Sequence, residues 1–239
     1  MSVFLLAEAL KFPPPELADS DGLLAVGGDL SPERLLMAYR MGIFPWYAED
    51  TPILWWSPDP RLVLFPDELK ISKSLRRVIA RGGFRMTVDQ VFREVIQRCA
   101  EARRDSDAGT WLVPEMIDAY CRLHELGYAH SVESWHQGSL VGGLYGIALG
   151  RVFYGESMFT LKTDASKVAL VHLVRMLKDL RFELIDCQVT TSHLKSLGAR
   201  ELPRQEFLTA LAAAIEGEDL RPTADQFTAA HLMQISTNL

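Results

Sequence analysis

Hydrophobic and polar positions fall into two regimes along this chain. Up to about Pro66 no period holds, because turn formers interrupt it: PPP at 13–15, GG at 27–28, and prolines at 32, 45, 52, 58, 60 and 66. One helix stands out there. Ser31 offers an N-cap oxygen, Pro32 suits the first helical position, and Gly42 follows PERLLMAYRM as a stop. The stretch GIFPWYAEDTPILWWSPDPR carries Trp46, Trp55 and Trp56. That is too aromatic for an idle linker, and it reads as a small domain packed against the rest of the chain.

From Arg61 the periods alternate. RLVLF predicts a short strand, KISKSLRRVIAR a helix, FRMTV a strand, and VFREVIQRCAEA a helix. PEMIDAYCRLHELG is a further helix, opened by Pro114 and closed by Gly127. AHSVESWH and LVGGLYGIAL are neighbouring strands across a Gln-Gly-Ser turn, and RVFYGESMF is the next strand. ASKVALVHLVRMLKDL is a long helix with an apolar face, ELIDCQV a strand, and EFLTALAAAIEG a helix before an acidic end. A meander, a helix and another strand predict an α+β fold, with helices covering a mixed sheet. The expected domains are 1–66 and 67–239.

Composition narrows the class. Of 239 residues, 48% are hydrophobic and 23% charged, which suits an ordinary globular protein. Cys99, Cys121 and Cys187 show no CxxC spacing, so neither a disulfide framework nor a zinc site is expected. The six histidines lie far apart without an HxxxH pattern, which gives no metal site. The longest apolar runs are too short for a bilayer, and the first residues lack a basic n-region, so the expected place is the cytoplasm.

Net charge is −6, but it is unevenly spread. Lys70 to Arg104 holds ten basic residues against Asp89, Glu94 and Glu101, a window of +7 in an acidic chain. Within KISKSLRRVIAR, Lys73, Arg77 and Arg81 fall on one helical side with Lys70, within about 80° at 100° per residue. A polyanion would feel such a patch, since salt screens over about 8 Å.

Several long strings then become specific. GLLAVGGDLSPERLLMAYRMGIFPWY with PILWWSPDPRLVL, GTWLVPEMIDAYCRLHELGYAHSVE, LVGGLYGIALGRVFYGESMF, and ELIDCQV followed by HLKSLGARELPR resemble the leucyl/phenylalanyl-tRNA–protein transferase family. The likeness runs in order from about Phe12 to Pro203. It implies a small N-terminal domain before an acetyltransferase-like (GCN5-related) sheet. It also implies movement of Leu, Phe or Met from aminoacyl-tRNA onto proteins beginning with Arg or Lys, which marks them for N-degron-dependent degradation. No cofactor is expected, and the expected working unit is a monomer.

Aminolysis of an ester needs a neutral amine, a stabilised oxyanion and a protonated leaving hydroxyl. The resemblance places Asp186 and Gln188 at the reaction centre. Two apart on a strand, they are expected to leave the same face. The resemblance implies that Asp186 polarises Gln188, which accepts the amine's proton; on physical grounds Gln188 is rather a hydrogen-bonding positioner, with Asp186 as its orienter or as the acceptor. Glu156 is expected in the substrate site, with alternation putting Tyr154, Glu156 and Met158 on one face. Leu144 (Met elsewhere in the family), Phe153, Met158 and Ile185 are candidates for an apolar aminoacyl pocket, and Gly155 would admit a ligand close to the backbone. Trp46 and Trp111 are candidates to stack on the terminal adenine, and Lys73, Arg77 and Arg81 to bind tRNA phosphates. An acyl-CoA donor is disfavoured, because MFTLKTDASK has no glycine to cradle a pyrophosphate. A Cys187–His193 hydrolase lacks an orienting partner, and a non-catalytic tRNA-binding module is the remaining alternative.

Overall fold

The computed structural model describes residues 3–104, 112–216 and 226–227. A four-stranded sheet forms first, from β1 (Phe4–Leu6), β2 (Leu23–Gly27), β3 (Phe44–Pro45) and β4 (Leu54–Trp56), in the order β1-β2-β4-β3. Between β2 and β3 lies α1 (Pro32–Arg40), whose N-cap Ser31 accepts the Arg34 N–H at 3.4 Å. Gly42 ends it at φ +70°, where a Cβ would stand 2.8–2.9 Å from the Leu208 and Phe207 side chains. The period of the sequence predicted the helix and missed this sheet. Its strands are two to five residues long, too short for alternation to register.

The second sheet has seven strands. They are β5 (Arg61–Leu64), β6 (Arg85–Val88), β7 (Ala129–His136), β8 (Ser139–Leu149), β9 (Val152–Thr160), β10 (Leu184–Gln188) and β11 (Arg200–Leu202). Their order is β11-β5-β10-β9-β8-β7-β6. The helices are α2 (Lys73–Ala80), α3 (Phe92–Arg104), α4 (Pro114–Glu125), α5 (Ala165–Asp179), α6 (Ser192–Ser196) and α7 (Arg204–Ile215). The predicted helix over 70–81 starts only at Lys73, because the Ser72 hydroxyl caps it by accepting the Leu75 N–H at 3.1 Å. The meander β6 to β9, the crossover helix α5 and the parallel strand β10 make the α+β layout, with helices covering a mixed sheet, that was expected from the sequence. Strand β5, which precedes Pro66, is part of this large sheet.

Two apolar clusters fill the molecule. One joins the small sheet and α1 to α3, α4, α7 and one face of the large sheet, through Trp55, Tyr39, Val95, Tyr120, Tyr145, Tyr154 and Phe207. The other packs α2 and α5 on the opposite face, through Leu75, Leu173, Leu144, Ala148, Phe153 and Ile185. The basic +7 window is therefore divided. α2 lies on one side of the sheet and α3 on the other, where Arg93 bonds Asp118 and Arg98 bonds Glu101.

Candidate active site

Two adjacent bulges build the site. In the β8–β9 pair, Leu144, Tyr145 and Gly146 face Met158, Ser157 and Gly155, so Glu156 is the extra residue. The bulge shifts the parity of β9, and this corrects the expectation of strict alternation. Met158 joins Phe153 on the α5 side, while Tyr154 and Phe159 pack on the other. In β10 a second irregularity falls between Asp186 and Gln188 against β5. Gln188 there takes φ +61°, a left-handed conformation that costs a non-glycine residue about 1–3 kcal/mol. The parallel pairing of β9 with β10 stops at Tyr154–Asp186, and just beyond it Glu156 and Gln188 meet.

Glu156 sits at the centre of the polar network. Gln188 Nε2 donates to its Oε1 at 2.9 Å, the Tyr39 hydroxyl to the same oxygen at 2.8 Å, and the Tyr120 hydroxyl to Oε2 at 2.9 Å. The two tyrosine oxygens are themselves 2.6 Å apart. That makes a triangle of close oxygen contacts with only two hydroxyl protons, so the ring closes when Glu156 carries a third. Burial pushes the same way, raising the carboxyl to about 7, while the three donors and the charge of Asp186 act as smaller influences. Near neutral pH this group both holds and releases a proton.

Asp186 is occupied differently from the expectation. It is wholly buried and takes a two-pronged ion pair from Arg61, Nε to Oδ1 at 2.8 Å and Nη2 to Oδ2 at 2.7 Å. Its Oδ1 also accepts the Gln188 backbone N–H at 2.9 Å. The two side chains therefore part, Asp186 toward Arg61 and Gln188 toward Glu156, because the bulge between them breaks the period of two. Locked in an ion pair with the permanently charged Arg61, and absent from the lining of the cavity, Asp186 is badly placed to take a proton from an amine.

Against this network lies a cavity of about 270 Å³. Among the residues lining it are Trp46, Leu144, Phe153, Gly155, Met158, Ile185, Glu156 and Gln188, so the pocket residues expected from sequence come together, apart from Trp111, which lies outside the described residues. Asp186 does not line it. Phe44, Leu170, Leu173 and Leu194 complete much of the apolar wall, and Trp46 stays 41% exposed at one side. Cys187 and His193 also line it, but burial drives the Cys187 thiol far above the reactive range and lowers His193. A thiol so protonated is no nucleophile. Among the described residues, no group of three or more His, Cys, Asp or Glu is arranged to hold a metal. Nor is any helix there long and apolar enough to cross a membrane.

Tyr39, Tyr120, Arg61 and Phe44 were not foreseen. Tyr39 and Tyr120 occupy inward positions of amphipathic helices, where a tyrosine needs a polar partner that sequence spacing does not reveal. Arg61 opens an otherwise apolar strand, and that misfit was the one signal the sequence offered. Lys73, Arg77 and Arg81 are exposed on α2 and its C-cap, as the helical projection required.

The fold thus sets a buried carboxyl, raised to about 7, beside an apolar pocket. Residues 63–212 match the family described as leucyl/phenylalanyl-tRNA protein transferase, and residues 28–59 match its N-terminal domain. The chain is 72% identical over 215 residues to the leucyl/phenylalanyl-tRNA–protein transferase of Syntrophobacter fumaroxidans, covering 90% of this chain and 92% of the relative. The corresponding protein of Anaeromyxobacter sp. (strain Fw109-5) is 59% identical over 221 residues, 92% of this chain and 94% of the relative. Among solved structures, a GCN5-related N-acetyltransferase from Kribbella flavida is a remote likeness at 12% identity and TM-score 0.34, covering 72% of this chain and 61% of that one. The chain belongs to the leucyl/phenylalanyl-tRNA–protein transferase family.

Proposed function

We infer that the chain transfers leucine, phenylalanine or methionine from aminoacyl-tRNA to proteins that begin with Arg or Lys. The α-amino group attacks the ester carbonyl, a peptide bond forms as the bond to the ribose oxygen breaks, and that oxygen leaves as a hydroxyl carrying the proton that Glu156 took from the amine. The modified protein then carries a residue that marks it for degradation, a reaction of the cytoplasm. The observation that carries this reading is the apolar cavity whose lining includes both Glu156 and Gln188.

An apolar pocket of this size accepts large hydrophobic side chains and excludes polar ones by leaving them without hydrogen bonds, while it separates similar hydrophobes only weakly. Leu144, Phe153, Met158 and Ile185 form its wall, and Gly155 leaves room for the ester against the backbone. Glu156 in its charged form takes the proton that the attacking amine must lose, and Tyr39 and Tyr120 steady that charge. With its N–H spent on Glu156, the Gln188 amide offers its carbonyl oxygen to the incoming amine. Trp46 stacks on the terminal adenine, and Lys73, Arg77 and Arg81 hold backbone phosphates.

The test is transfer of labelled leucine from charged tRNA to a peptide beginning with Arg, beside one beginning with Ala, without CoA. Transfer to the Arg peptide alone is expected. Transfer to neither, with tRNA still bound, would mean a binding module and would overturn the reading.

A further inference from the structure

We propose that Arg61 is a positioning residue of the transfer reaction, which fixes the turn at Gln188 through Asp186 and so aims the Gln188 amide at Glu156. This rests on the function proposed above. The chain of contacts is short. Two nitrogens of the Arg61 fork grip both oxygens of Asp186, and Asp186 Oδ1 receives the Gln188 backbone N–H at 2.9 Å. Gln188 sits in the left-handed region, which a side-chain-bearing residue leaves unless something holds it there. Asp186 is that peg, and from the turn it pins, Gln188 Nε2 reaches Glu156 at 2.9 Å.

Arg61 is itself held in one orientation. Its guanidinium carbon lies 4.7 Å from the ring centroid of Phe44 and 4.7 Å from that of Phe207. Phe44 comes from the small sheet and also lines the cavity, and Phe207 comes from α7, so three separate parts of the chain meet on this side chain. A lysine has neither the fork nor the flat face this arrangement uses. Stability alone is a poor reason for such a pair. Desolvation offsets the attraction of a fully buried ion pair, and Arg61 Nη1 remains buried without a hydrogen-bond partner. What the pair supplies is direction.

The experiment measures leucine transfer by the full-length chain carrying Arg61→Lys, Asp186→Leu, or Arg61→Met with Asp186→Leu. Folding is monitored by circular dichroism, and Arg34→Lys serves as the comparison. Arg34 is equally buried but grips the carbonyls of Ala7, Glu8 and Ala9, away from the site. Arg61→Lys is expected to lower kcat about tenfold or more, with KM for Leu-tRNA within about twofold, while Arg34→Lys keeps kcat per folded molecule. The double variant is expected to transfer no more slowly than Asp186→Leu alone, because Arg61 acts only through Asp186. An Arg61→Lys enzyme with normal kcat, a change in KM alone, or losses that multiply in the double variant would each overturn the inference. A wild-type chain that transfers no leucine would instead overturn the function on which it rests.

Discussion

Gln188 donates its side-chain amide to Glu156, 32 positions earlier in the chain, while Asp186 two positions away holds only the Gln188 backbone. The distinction sets the chemistry. Asp186 is locked by Arg61 and fixes the backbone of Gln188, whereas Glu156 carries a carboxyl that burial raises to about 7. Under the proposed function, Glu156 is the group whose charge changes during the reaction.

The pH dependence of the reaction is set by that charge. Under the proposed function the charged form of Glu156 accepts the proton, so kcat/KM is expected to rise with pH through about 7. In Glu156→Gln this limb disappears, activity falls about 10²-fold or more, and only the titration of the peptide amine near 8 remains. A pH–rate profile of both forms checks it.

The same carboxyl leaves a mark on stability. Its folded value is raised from 4.5 to about 7, so between these values the native state binds more protons than the unfolded chain. Stability from this group is therefore greatest below pH 4.5 and declines as pH rises to about 7, by at most about 3 kcal/mol. Unfolding by urea across that range should show a shallower decline in Glu156→Gln than in the wild type.

Leu144 lies 3% exposed in the wall of the cavity and gives a handle on specificity. Leu144→Phe narrows the space, and it should reduce phenylalanine transfer about tenfold more than leucine transfer, one to three kcal/mol being roughly the scale of a mismatched pocket. Competition between the two charged tRNAs reads the ratio directly.

The basic stripe of α2 should govern tRNA affinity and its salt dependence. Lys73→Glu with Arg77→Glu is expected to raise KM for Leu-tRNA while sparing kcat. The slope of log affinity against log salt should flatten by about 0.7–0.9 for each phosphate no longer neutralised. An unchanged slope would remove these residues from the interface.

Gly146 supports the bulge from the neighbouring strand. A Cβ there would lie 2.2 Å from the Tyr154 carbonyl oxygen and 2.4 Å from the Phe153 ring, neither of which can retreat without moving β9. Gly146→Ala should cost at least about 2 kcal/mol and lower Tm by about 4–8 °C, with transfer activity falling as Glu156 is displaced. Calorimetry beside the transfer assay separates the two losses.

The long elements and the chemistry-bearing strings are legible in the amino-acid order. A helix such as α5 or a strand such as β8 repeats its period often enough to be read, and the basic face of α2 follows from helical geometry alone. The pocket-lining residues on β8, β9 and β10 were named from the resemblance of those strings, since strict alternation would put Phe153 and Met158 on opposite faces. How those side chains meet was decided by folding. Two bulges reversed the parity at Glu156 and between Asp186 and Gln188, and a bulge is a property of a strand pair, invisible in either strand. Tyr39 and Tyr120 meet Glu156 across 117 and 36 positions, and Arg61 meets Asp186 across 125. Spacing along a chain carries no record of such contacts, which exist only once the core has folded and water has been excluded from around them.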